Sequence, residues 1–123
     1  MRRSDYFRHL VQRAIDELPP DIQAQLRNVE VVVEEQPTLR QLRSAGLRPP
    51  ATLLGLYEGI PLTERTSSYG MVLPDKITIF RKPIERHATT PDEVVDLVQT
   101  TVVHEFAHHF GITDAQLEAW GWA

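Results

Sequence analysis

No cysteine occurs in this chain. That excludes disulfides, a thiolate nucleophile and any Cys-ligated metal. It also makes a reducing, cytoplasmic setting the simplest expectation. Long apolar runs are missing as well, so no segment is expected to span a bilayer. Arg2 and Arg3 lead into Ser4, Asp5 and Tyr6 rather than into an apolar stretch, so the N-terminus does not read as a secretory signal. Cationic excess is absent too: 13 Lys and Arg stand against 17 Asp and Glu, a net charge of -4. A nucleic acid is therefore not expected as partner, because backbone binding rests on clustered cations. Arginines do gather between Arg40 and Arg48 and again at Arg81 and Arg86. There is no internal repeat and no low-complexity segment.

The chain does have a globular composition, with 41% hydrophobic and 24% charged residues in 123. That length fits one domain, residues 1–123, large enough to bury a core without staples. Ser4 is a candidate cap for a first helix, in which Phe7, Leu10, Val11, Ala14, Ile15 and Leu18 recur at helical spacing. Pro19-Pro20 is read as its stop. Residues 29–35 alternate around valine and read as a strand. Residues 38–45 suit a short helix closed by Gly46. Residues 53–58 read as a second strand, with Gly55 and Pro61 favouring a sheet edge. Residues 76–80 suit a third strand with one buried face. Residues 59–69 form the longest uncertain connection.

Thr90-Pro91-Asp92-Glu93 is a capping box with proline at the first helical position. The helix it opens has Val94, Val95, Leu97, Val98, Thr101 and Val102 on its apolar face and is expected to reach about His109. Gly111 falls where a left-handed helix-ending residue belongs, and Thr113 can cap a last short helix over residues 114–120. Together these elements make an α+β domain.

His104 and His108 stand four apart on that helix, hence on one side of it and roughly 6 Å apart along the axis. Two imidazoles so placed can ligate one cation. Glu105 is turned about 100° from them. That aims it poorly as a ligand but suits it to take a proton from a metal-bound water. The sharp turn at Gly111 can bring Asp114 back as a third ligand. Two His and one Asp leave a position open, the layout of a catalytic zinc site rather than a structural one. This layout is of the kind used to hydrolyse peptide bonds, and Glu105 would then be expected to pass the proton on to the leaving amine.

The segment from His104 to Asp114 resembles the metzincin zinc-peptidase pattern HExxHxxGxxH/D in its Asp variant. Over nearly the whole chain the sequence is similar to a small bacterial family of minimal, MMP-like zinc metallopeptidases, including residues 54–62 and 73–81. The resemblance implies a single small zincin-like domain. In it a short mixed sheet packs against the N-terminal helix and the metal-binding helix. It also implies zinc (Zn2+) as cofactor, His104, His108 and Asp114 as ligands, Glu105 as general base, and a peptide or unfolded protein as substrate. One departure is visible: metzincins carry a methionine turn after the motif, whereas Met1 and Met71 both precede it.

Other residues carry weaker expectations. His9 and His109 read as bystanders, and His87 as a loop residue before the motif helix. Tyr69 reads as a packing or turn residue, with an oxyanion donor as the alternative, and Trp120 and Trp122 as C-terminal anchors or pocket walls. Phe106, Ala107 and Phe110 read as core or cleft floor. Glu118 reads as a solvated helix residue or a hydrogen-bond partner that orients a ligating His. Two other functions compete with the peptidase. One is a catalytically silent metal-binding or interaction domain on the same scaffold. The other is a metal-dependent ribonuclease, which Glu105 and the acidic charge balance disfavour.

Overall fold

In the computed structural model, residues 2–59 and 74–122 are described. Helix α1 (Arg3–Asp16) buries Phe7, Leu10, Val11 and Ala14, one stripe at helical spacing. Ser4 is not its cap. The helix starts earlier, with Arg2 at the N-cap and no side chain bonded to the first turn. Packing of the apolar stripe sets this start where no local cap does. The prolines do more than stop it, because Pro20 opens a helix that the sequence pattern does not announce, α2 (Pro20–Gln25). Proline at a first helical position loses no needed N–H and already has a helical φ. Gln23 then turns back, its Nε2 donating to the carbonyls of Ile15, Asp16 and Leu18 at 3.1, 2.8 and 3.0 Å. The Asp16 and Leu18 carbonyls lie at and just beyond the end of α1, and the Ile15 carbonyl also accepts the Leu18 N–H at 3.2 Å.

Among the described residues three strands make one mixed sheet in the order β1-β3-β2. Strand β1 (Val29–Glu34) runs parallel to β3 (Asp75–Phe80), and β2 (Gly55–Glu58) runs antiparallel to it. Among the described residues β2 therefore lies at the sheet edge, as expected. β3 corrects its sequence reading: Ile77, Thr78, Ile79 and Phe80 are all fully buried, so both faces are covered rather than one. A central strand with a parallel neighbour and helices against it has no solvent face. Helix α3 (Leu39–Ser44) has a reciprocal Thr38–Gln41 capping box and ends at Gly46, with φ +74.

Helix α4 (Arg81–His87) leaves β3 directly and has no capping side chain, which explains why the pattern hides it. Its support is tertiary. Buried Arg81 forks onto Glu35 at 2.6 and 2.7 Å and onto Glu85 at 2.8 Å. The Lys82 N–H donates to the Glu35 carbonyl at 3.0 Å. His87 thus ends a helix instead of lying in a loop, its Nδ1 3.0 Å from the Pro83 carbonyl.

Helix α5 (Pro91–His109) has the expected Thr90–Glu93 box and packs across α1, β2 and β3. It lies so close to the sheet edge that a Cβ on Gly55 would meet Thr101 Cγ2 at 2.7 Å. Glycine is needed there by helix-on-strand packing, a reason its strand pattern does not contain. Gly111 (φ +74) ends α5, and α6 (Asp114–Ala119) follows with a Thr113–Gln116 box and a buried Leu117. A single core cluster joins α1, the sheet, α4, α5 and α6. The fold is a small α+β arrangement of a short mixed sheet against the N-terminal helix and α5. Among the described residues no helix is long and apolar enough to cross a membrane.

Candidate metal centre

The capping box, the valine stripe and Gly111 fix where α5 ends, and its last two turns carry the His-Glu motif. His104 and His108 lie on one side of the helix with ring centroids 6.0 Å apart. Two imidazoles sharing one zinc at about 2 Å per bond would hold their centroids roughly 5 Å apart, so the spacing is close to a ligating one. The Gly111 turn returns the chain, and the Asp114 carboxylate reaches His108, Oδ1 to Nε2 at 2.8 Å. That hydrogen bond, with the attraction of the His108 ring, lowers the Asp114 pKa and keeps it anionic.

His104 is turned elsewhere. Its Nε2 lies 2.6 Å from the backbone carbonyl of Trp122. Among the described residues no three His, Asp or Glu side chains are arranged to hold one cation. The donor types and the helical spacing thus fit zinc, while the three groups expected to converge are brought together only in pairs.

Glu105 points to the sheet edge, where its Oε1 accepts the Tyr57 N–H at 3.2 Å. Partial burial raises its pKa, and the Tyr57 N–H, His108 and His104 oppose that shift. A carboxyl destabilised as an anion is a better proton acceptor than a solvated one. Tyr57 is a neighbour that the motif does not single out. Its hydroxyl donates to buried Asp75 and its ring stacks on His109, with centroids 4.0 Å apart. His109, expected to be a bystander, thereby packs against the edge strand. The only signal for Tyr57 is an aromatic in a strand facing the motif helix, and Asp75 has none.

The remaining expectations divide. Ala107 is buried and Phe106 partly so, but Phe110 is 57% exposed and does not belong to the core. Trp122 packs on the core while Trp120 is 61% exposed. Both indoles line a cavity of about 450 Å³ together with Ile22, Leu26, Phe106 and Leu117. His9 and Glu118 are exposed. Tyr69 and most of the connection at 59–69 lie outside the described residues.

A solved structure of a conserved hypothetical protein from Thermo thermophilus is similar to this chain. It has 27% identity and a TM-score of 0.52, and the match covers 88% of this chain and 94% of that one. Among curated proteins none matches. A family profile described as zincin-like metallopeptidase matches residues 26–122, from the end of α2 through the motif to Trp122. With most of its length inside that match, the chain belongs to the zincin-like metallopeptidase family.

Proposed function

We propose that this protein is a zinc-dependent peptidase, a minimal, MMP-like member of its family with a metzincin-type motif ending in Asp. One observation carries the reading. Two imidazoles one turn apart, a returning carboxylate 2.8 Å from the second, and a half-buried Glu between them and a sheet edge cluster around the last turns of one helix. His104, His108 and Asp114 are the ligands in this reading. Bound zinc supplies Lewis acidity and lowers the pKa of water at the site.

The chain's own residues do the rest. Glu105 takes a proton from the attacking water and delivers it to the leaving amine. Its raised proton affinity and its tether to Tyr57 support that role. Among the described residues β2 is the sheet edge beside Glu105, which suits it to holding an extended peptide by strand addition. The substrate class is therefore an exposed peptide or an unfolded protein segment, with no nucleic acid or membrane partner.

The test is zinc analysis of the purified protein beside His104→Ala/His108→Ala, with turnover of a broad peptide library in the same samples. The expected result is stoichiometric zinc and hydrolysis in the parent and neither in the variant. Equal metal content in both, or no turnover in either, removes the proposal.

A second reading is a catalytically silent metal-binding or interaction domain. The bond between His104 and the Trp122 carbonyl favours it, because a ligand nitrogen engaged elsewhere leaves only His108 and Asp114 together. It predicts stoichiometric zinc, or an empty site, in either case without turnover.

A further inference from the structure

Three helices here end in the same way. Gly46, Gly111 and Gly121 have φ of +74, +74 and +84. In each case the next residue donates its N–H to the carbonyl five back: Leu47 to Leu42, Ile112 to Ala107 and Trp122 to Leu117, all at 2.8 Å. This is the Schellman closure of a helix. Of the three, the last brings its next carbonyl onto a candidate metal ligand, with Trp122 O 2.6 Å from His104 Nε2. The contact is not a loose tail lying on a helix. The Trp122 N–H is fixed by Leu117 and its indole packs on the core.

A carbonyl only accepts, so His104 must carry a proton on Nε2 and donate it. A ring nitrogen bearing a proton has no lone pair for a metal. The bond therefore sets both the tautomer and the aim of His104 against ligation through Nε2.

We propose that Trp122 is a positioning residue, its carbonyl holding His104 in a metal-refusing orientation until the Gly121–Trp122 turn moves away. This rests on the reading of His104 as a ligand. Zinc loading then has two steps, release of the turn and closure of His104 onto the ion with His108 and Asp114. One hydrogen bond of ordinary net strength makes the latch worth roughly a three- to ten-fold weakening of zinc affinity.

The test uses the full chain with Gly121→Val and Trp122→Ala. Nothing lies within 4 Å of a Cβ built at Gly121, so the first variant strains only the backbone of the turn. The second keeps the carbonyl but removes the indole that anchors it, and it serves if the first fails to fold. Two readouts are followed: zinc affinity by chelator competition, and the imidazole ¹⁵N shifts of His104 in metal-free protein. The expected result is an Nε2-protonated tautomer in the parent that is lost in the variants, with zinc bound roughly three- to ten-fold more tightly. Unchanged affinity overturns the latch. Weaker affinity also overturns it and makes the turn a support for the metal. If no protein of the set binds zinc, the ligand assignment fails and the latch falls with it. If His104→Ala abolishes binding while the turn variants leave it unchanged, only the latch fails.

Discussion

Helix α5 changes character after Val102. Before it, Val94, Val95, Val98 and Val102 are at most 5% exposed and pack on α1 and the sheet. Beyond Val103, His104, Glu105 and Phe106 are half-buried, and His108, His109 and Phe110 are exposed. The first half has a capping box and an apolar stripe. The second is held by pairings that reach several elements: His104 to Trp122, Glu105 to Tyr57, His108 to Asp114, and His109 stacked on Tyr57. One helical period runs through both halves, but the first buries a whole stripe with it, whereas of residues 104–109 Ala107 alone is fully buried. A substitution in the first half should therefore read out in stability, and one in the second in binding and turnover.

The largest effect belongs to the second half. Glu105→Gln is expected to cut peptide turnover by about 10²–10⁴-fold. Gln keeps an oxygen for the Tyr57 N–H, so zinc content and melting temperature should hold. A melting loss typical of a core substitution would break the division between the halves.

Val98→Ala comes next. Val98 is completely buried, so losing two buried carbons should cost about 2 kcal/mol in a denaturant titration. Zinc stoichiometry measured on the same samples should stay the same. If metal binding falls with stability, the two halves are one unit.

Thr90→Ala removes the cap that closes the reciprocal bonds with Glu93. A loss of about 1 kcal/mol is expected. Faster amide exchange should be confined to the first turns of α5, and exchange in its last turns should be unaltered.

The smallest effect lies outside α5 and serves as its control. The Arg81 guanidinium hydrogen-bonds Glu35 and lowers its carboxyl pKa below the ordinary 4.5. A folded pKa below the unfolded one means that stabilisation is complete above the ordinary value. It is lost as pH falls through the lowered one. Glu35→Gln should therefore flatten part of the acid-side decline in stability while leaving the zinc site unmoved. The effect is small because the Glu35 side chain is 51% exposed.

The contrast also explains which elements can be read without coordinates. α5 is legible because its cap, its stripe and its terminal glycine are all local signals. α3 and α6 are legible for the same reason, each having a Thr cap answered by Gln three residues on. α4 is not, because Arg81, Pro83 and Ile84 are held by Glu35, Glu85 and the core. α2 is hidden by a proline pair that reads as a stop and also acts as a start. The burial of Thr78 escapes the pattern because alternation records one face, and only the neighbours of β3 cover the other.

At the candidate site the same line divides what could be inferred. The spacing of His104, Glu105, His108, Gly111 and Asp114 puts two imidazoles on one side of a helix and returns a carboxylate after a turn, since helix geometry and glycine's freedom are properties of the local chain. Where each group points depends on residues far away in sequence. Trp122 takes His104, Tyr57 takes Glu105, and Thr101 leaves room only for glycine at position 55. Those partners are chosen by packing across the fold, and no local pattern encodes which distant carbonyl or N–H will lie within hydrogen-bonding reach.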